Sequence, residues 1–122
     1  MSEVNMSSWD ESIFTEDVNV EFLDELSTLD EEEIVEAVDD ACTLAARQPE
    51  VSEAELSNGL AAATIAAIWA GAPYSAGAVV EDYPFIRELS GAGSEELRET
   101  AAELLENSVE DMDIDVFLEA LN

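Results

Sequence analysis

The chain has 122 residues, of which 31 are Asp or Glu and three are Arg, and with neither Lys nor His its formal net charge is −28. Three cations cannot neutralise a row of phosphates, so the composition argues against binding to nucleic acid or to an anionic membrane. Catalysis with histidine as the general base is excluded as well. The length and an apolar fraction of 48% predict a single domain, residues 1–122, with its own hydrophobic core.

Residues 1–14 are interpreted as an N-terminal extension. The first residues, Met1 to Val4, are acidic and polar where a secretory signal would be basic and then apolar. The most apolar run, 60–72, is too short to span a bilayer, which takes about 20 residues. We therefore expect a cytoplasmic protein. Cys42 is the single cysteine, so no intrachain disulfide can form.

The first helix is predicted to begin at Thr15, with Glu16 and Asp17 in its first turn. Its apolar face consists of Val18, Phe22, Leu23 and Leu26. A second helix is predicted to start near Thr28 or Asp30, because each is followed three residues later by a Glu, as in a capping box. The apolar stripe of this second helix consists of Ile34, Val38, Ala41, Cys42 and Ala45.

A third helix is predicted over about 53–70, from the capping box Ser52-x-x-Glu55 to the breakers Gly71 and Pro73. From Leu60 onward it is apolar nearly all round, so we expect other helices to surround it. Residues 71–93 are predicted to be an irregular connection with a short helical turn at 84–89, and 78–80 is its one candidate strand.

Ser94 is predicted to cap a fourth long helix, whose apolar face consists of Leu97, Ala101, Leu104 and Leu105. A short amphipathic helix capped by Asp111 or Asp113 is predicted to end the sequence. The predicted fold class is therefore all-α: a compact bundle of four to five helices around the central apolar helix.

The acids of the second helix are the strongest candidates for a metal site. Glu32, Glu33 and Glu36, with Asp39 one turn later, resemble the first metal-binding motif of the all-α nucleotide pyrophosphohydrolases. Carboxylates at this spacing share a helix face and could hold Mg²⁺. The second Glu-x-x-Asp of that family has only a distant counterpart here, at 110–113, and Lys is absent. We favour a solvated helix face and expect no metal and no cofactor.

The sequence offers three further candidates for chemistry. Asp111-x-Asp113-x-Asp115 has the spacing that opens a calcium loop, but Val116 stands where that loop needs Gly and Asn122 where it needs Glu. Cys42 lies on an apolar stripe with no imidazole to activate it. The only cations are expected to pair with neighbouring acids, the alternative being a shared anion site; they are Arg47, Arg87 and Arg98.

Residues 9–26 resemble the opening of a bacterial family of small acidic proteins, domain of unknown function four-two-five-nine. That family begins W-G-x-G-x-F-x-N-D, followed by an acidic residue, an aromatic residue and Leu. The matching residues are Trp9, Phe14, Asp17, Glu21, Phe22 and Leu26. Asp10 and Ser12 replace the two glycines and Glu16 replaces the Asn, whereas the Gly-x-Pro after the Ala-rich helix is similar. The resemblance implies an α-helical domain without an assigned activity.

Trp9 and Phe14 precede the first predicted helix and are expected to fold back on the bundle, which leaves Asp17 near the helix start. We expect this motif to be structural. The leading hypothesis for function is a non-enzymatic acidic protein that binds a basic partner, as an immunity protein, an antitoxin or a nucleic-acid mimic does. One alternative is a Mg²⁺-dependent nucleotide pyrophosphohydrolase. The other is a halophilic domain whose acidity serves only solvation.

Overall fold

The computed structural model describes residues 9–48, 50–74, 77–109 and 114–122, which contain helices and no strand. The predicted all-α class is confirmed, although the described residues form eight helices and not four to five. The additional helices are short, and four to six residues give too few turns for a periodic apolar pattern. In chain order the helices are α1 (Trp9–Phe14), α2 (Asp17–Leu26), α3 (Glu31–Arg47), α4 (Glu53–Trp69), α5 (Gly77–Asp82), α6 (Phe85–Glu88), α7 (Glu95–Ser108) and α8 (Asp115–Leu121).

The central apolar helix is α4, as predicted. Every residue from Gly59 to Trp69 is buried, and α4 contacts α1, α2, α3, α6, α7 and α8. Small residues let these neighbours approach closely. A Cβ atom built on Gly59 would lie 2.2 Å from the Cβ of Ala45 and 3.1 Å from the carbonyl oxygen of Ala41. The α3 and α4 backbones therefore pack at a distance that only glycine permits.

Both ends of α4 are fixed by local hydrogen bonds. At its start the Ser52 hydroxyl accepts from the Glu55 amide at 3.0 Å, and the Glu55 carboxylate accepts from the Ser52 amide at 3.1 Å. This is the predicted capping box. At its end Gly71 has a φ of +114°, and the Ala72 amide donates to the Ala67 carbonyl at 3.0 Å. Gly71 therefore ends the helix in a Schellman motif, which needs the left-handed conformation.

Helices α3 and α7 begin at predicted caps and pack against each other and against α4. The Asp30 amide donates to the Glu33 carboxylate at 3.2 Å, so α3 starts after Asp30. Thr28 does not cap it, because its hydroxyl donates to the Glu25 carbonyl at 2.7 Å. The Ser94 hydroxyl accepts from the Leu97 amide at 3.0 Å and begins α7.

The prediction of an extension over 1–14 was wrong for residues 9–14, which form α1 against α4. Thr15 was expected to cap the next helix, but its hydroxyl donates to the Glu11 carbonyl at 2.8 Å and thus closes α1. The N-cap residue of α2 is Glu16. A threonine hydroxyl can donate backward or accept forward, and the sequence does not distinguish the two.

The prediction of an irregular connection over 71–93 was also wrong in part. The helical turn expected at 84–89 is present as α6, but the strand candidate 78–80 lies within α5. Val80 is buried, and the Tyr83 amide donates to the Val79 carbonyl at 2.9 Å. Packing thus overrides the preference of two adjacent valines for a strand.

The last helix is present, with Phe117 and Leu121 buried. Its two predicted caps, Asp111 and Asp113, lie outside the described residues. No helix in the described part of the chain combines the length and the apolar character needed to cross a membrane.

Candidate functional site

The predicted function would use an acidic surface, and one such surface lies between α3 and α7. Both helices bury their apolar stripes, so their charged side chains face solvent. A shallow depression lies between them and is referred to as the α3–α7 face; its lining residues are Asp39, Thr43, Arg47, Glu96, Glu99 and Thr100. Because these residues stand on two packed helices, the carboxylates are presented by a rigid scaffold.

One ion pair lies beside this face. A guanidinium nitrogen of Arg47 is 3.6 Å from a carboxylate oxygen of Glu103, and the two side chains are 59% and 52% exposed. An ion pair this exposed contributes little to stability. The pairing expected for Arg47 is confirmed, while the structure places Arg87 on α6 and Arg98 on α7. The described lining of the face thus combines three carboxylates with one arginine.

The hydroxyl groups of the face bind to their own helices. Thr43 donates to the Asp39 carboxylate at 3.2 Å, and Thr100 donates to the Glu96 carbonyl at 2.9 Å. The chemistry that the face offers is attraction between its carboxylates and a cationic partner.

The four carboxylates of the metal candidate do not share one site. Glu32, Glu33 and Glu36 line a second depression at the start of α3, whereas Asp39 lines the α3–α7 face. Among the described ranges, no three His, Cys, Asp or Glu side chains are grouped so that they could hold a metal ion. The second half of the proposed motif, 110–113, lies outside those ranges, as do two of the three calcium-loop aspartates.

Cys42 is buried between the helices, and burial raises the pKa of its thiol to about 12. The charge of Asp39 raises the pKa further, and Arg47 opposes it. A thiol with this pKa is protonated at neutral pH and is a poor nucleophile.

The motif residues of the N-terminal segment fall into two groups. Trp9, Phe14 and Leu26 are buried and Phe22 is half-buried, whereas Asp17 and Glu21 are exposed. The indole nitrogen of Trp9 donates to the Thr64 hydroxyl at 2.8 Å, which ties α1 to the middle of α4. The apolar members of the motif therefore belong to the core.

Asn19, which the sequence did not single out, joins three segments. It is fully buried, and its side-chain amide donates to the Ile13 carbonyl at 2.7 Å and to the Ser57 hydroxyl at 2.9 Å. Ser57 in turn donates to the Glu16 carboxylate at 2.6 Å. The only sequence signal for Asn19 is that a polar residue stands within an amphipathic helix pattern. That signal does not indicate which residues Asn19 binds.

A second contact that the sequence did not reveal joins Tyr83 to Asp24. The Tyr83 hydroxyl donates to the Asp24 carboxylate at 2.5 Å and so fastens the chain between α5 and α6 to α2. This hydrogen bond is the main reason that the pKa of Tyr83 is raised to about 12. The two residues are 59 positions apart, and no local pattern relates them.

A more apolar depression lies where the turn between α2 and α3 meets α6. It is referred to as the α6 groove; its lining residues are Ser27, Leu29, Glu31, Ile34, Pro84, Phe85, Glu88 and Leu89. The signal that could have found it is Leu29, an apolar residue in a turn of polar residues. Nothing in the sequence placed α6 beside that turn.

Comparison with known proteins gives one relationship. The family model described as "Domain of unknown function (DUF4259)" matches residues 7–115. No curated protein and no solved structure matches the chain. The match covers most of the chain and confirms the resemblance of residues 9–26. The chain therefore belongs to the family described as Domain of unknown function (DUF4259).

Proposed function

We propose that the chain is a non-enzymatic interaction protein that binds a cationic partner through the α3–α7 face. It masks the basic surface of another protein, as an immunity protein or an antitoxin does, or occupies a groove that otherwise holds nucleic acid. The observation that carries the proposal is the convergence of carboxylates from two packed helices on one exposed depression. A net charge of −28 adds a long-range field of the same sign.

Electrostatic physics favours this use of the surface. A concentrated field of one sign steers an oppositely charged protein and raises the association rate by about 10–10³-fold at low salt. The carboxylates stand on helices that pack against α4. Binding therefore reduces the freedom of side chains but does not require any backbone segment to become ordered. A partner with cations at matching spacing is thereby distinguished from other basic proteins.

The absence of catalysis is part of the same proposal. The sequence contains no histidine, and the buried Cys42 thiol is protonated at neutral pH because its pKa is raised to about 12. The pyrophosphohydrolase alternative would require Glu32, Glu33, Glu36 and Asp39 to act together. We expect no turnover of a panel of nucleoside triphosphates with Mg²⁺ or Mn²⁺, and hydrolysis that Glu36→Gln abolishes would overturn the non-enzymatic assignment.

The binding proposal is tested by capture from a lysate of the source cells at low ionic strength. The immobilised chain is compared with a face variant in which three acids of the α3–α7 face are neutralised: Asp39→Asn, Glu96→Gln and Glu99→Gln. The matched control removes three exposed carboxylates from α2 and the first turn of α4: Glu21→Gln, Glu25→Gln and Glu53→Gln.

We expect the unaltered chain and the control to retain the same basic protein, identified by mass spectrometry, and the face variant to lose most of it. Equal loss in both variants would show that net charge acts without a defined face. Capture of no basic protein by the unaltered chain would contradict the proposal.

A further inference from the structure

The α6 groove combines an apolar floor with an acidic edge. Ile34 and Phe85 are buried at its base, and Leu89 is half-buried. Leu29 is 36% exposed, which makes it one of the few large apolar side chains in the described ranges that face solvent. When a partner covers such a surface with an apolar side chain, apolar area is removed from water and the free energy of the complex is lowered.

Several hydrogen bonds position the α6 side of the groove. Asp24 of α2 accepts a hydrogen bond from Tyr83, which lies two residues before the start of α6. The Trp69 indole donates to the Phe85 carbonyl at 3.4 Å, and the Gly91 amide donates to the Trp69 carbonyl at 2.7 Å. The α6 wall is thus tied to α2 and α4 before a ligand arrives, and a preformed wall loses less entropy on binding.

The charge of the lining indicates which kind of partner the groove can bind. Its described lining includes Glu31 and Glu88 but no Lys or Arg. A second copy of this chain brings a net charge of −28 against the same sign, which disfavours self-association. A cationic segment with an apolar side chain matches the groove in both respects. Its apolar side chain contacts the floor, and its cations pair with the acidic edge.

We propose that the α6 groove receives one large apolar side chain of a cationic peptide segment, with flanking Lys or Arg residues that pair with Glu31 and Glu88. This inference rests on the proposed function, because it assigns a second contact to the same basic partner. The α3–α7 face attracts the basic partner, and the groove favours a partner that carries an apolar anchor residue beside its cations.

The test uses two synthetic peptides of equal length and equal positive charge. One peptide carries Leu between its lysines, and the other carries Ser at the same positions. Titration calorimetry measures both affinities, and methyl NMR signals of Ile34 and Leu89 report where the peptide lies. We expect the Leu peptide to bind about tenfold more tightly and to shift these signals, since covering a leucine side chain contributes at least that factor.

Leu29→Ser is expected to remove the preference for the Leu peptide. Its matched control is Val116→Ser on α8, which changes another exposed apolar side chain and should leave the preference intact. Circular dichroism establishes that both variants keep their helices.

Equal affinity for the two peptides, or a preference that survives Leu29→Ser, would overturn the groove assignment and leave the proposed function standing. Failure of both peptides to bind at low salt would also overturn the groove assignment, whereas the capture experiment decides the proposed function separately. Self-association that Leu29→Ser abolishes would assign the groove to a second copy and would also overturn the inference.

Discussion

Burial decides the chemistry of Cys42. With its pKa raised to about 12 from the ordinary 9.0, the Cys42 thiol is far less ionised at pH 8 in the folded chain than in the unfolded chain. We expect iodoacetamide to label Cys42 only at the rate at which the bundle opens. Mass spectrometry of a labelling time course, with and without denaturant, measures this. Rapid labelling under native conditions would contradict the buried position.

Tyr83 makes part of the stability depend on pH. Its pKa is raised to about 12 in the folded chain by the hydrogen bond to Asp24, against 10.0 for an ordinary tyrosine. Because the folded state holds the proton more tightly, the stabilising contribution is complete below pH 10. It is lost as the pH rises from about 10 to about 12. We expect Tyr83→Phe to reduce this loss, as measured by urea unfolding at several pH values.

Absorbance at 295 nm provides the control for Tyr83. The sequence has two tyrosines, so Tyr74→Phe isolates the titration of Tyr83. In that background, Asp24→Asn should lower the pKa of Tyr83 toward 10, since the negatively charged acceptor is gone. An unchanged titration would show that the hydrogen bond is not made in solution.

At the scale of the helices, Gly59 sets the distance between α3 and α4. A methyl group there would overlap the Ala45 Cβ and crowd the Ala41 carbonyl, so we expect Gly59→Ala to lower the free energy of unfolding by about 1–3 kcal/mol. This loss would exceed the gain in helix propensity, which is about 1 kcal/mol. Urea denaturation measures the difference.

Gly77→Ala is the matched control for Gly59. It places the same methyl group on α5, where no heavy atom lies within 4 Å. We expect it to be neutral or slightly stabilising. If Gly59→Ala were equally well tolerated, the two helices would lie further apart than the structure has them.

The sequence predicts the long helices well because their signals are local. Helices α3, α4 and α7 each combine a cap with an apolar stripe or an apolar run, and each begins where its cap predicts. The short helices α1 and α5 depend on packing against other segments. No local sequence pattern predicts that packing. The same limit applies to the sites: acids on one helix were predictable, whereas the Tyr83–Asp24 contact and the α6 groove depend on how distant segments meet.

The charge of the whole molecule sets its response to salt. Dividing 6714 Å² of surface by 28 charges gives about 240 Å² for each net negative charge, a mean spacing of about 15 Å. The screening length is about 30 Å at 0.01 M salt and about 8 Å at 0.15 M. Neighbouring charges therefore repel at low salt and are largely screened at physiological salt.

If the bundle folds without added salt, its carboxylates are available to a partner. If the bundle requires molar salt to fold, its carboxylates serve to bind water and cations. The described residues include a buried apolar core around α4, and burial of apolar surface is a driving force for folding that does not need bound cations. The most direct test is the melting temperature of the unaltered chain from about 0.01 M to molar KCl, followed by circular dichroism. We predict a helical, cooperatively melting chain at the lowest salt, with a melting temperature that rises up to about 0.15 M and little beyond. A chain that is unfolded at low salt and gains its helices only in molar KCl would contradict this and would assign the acids to solvation.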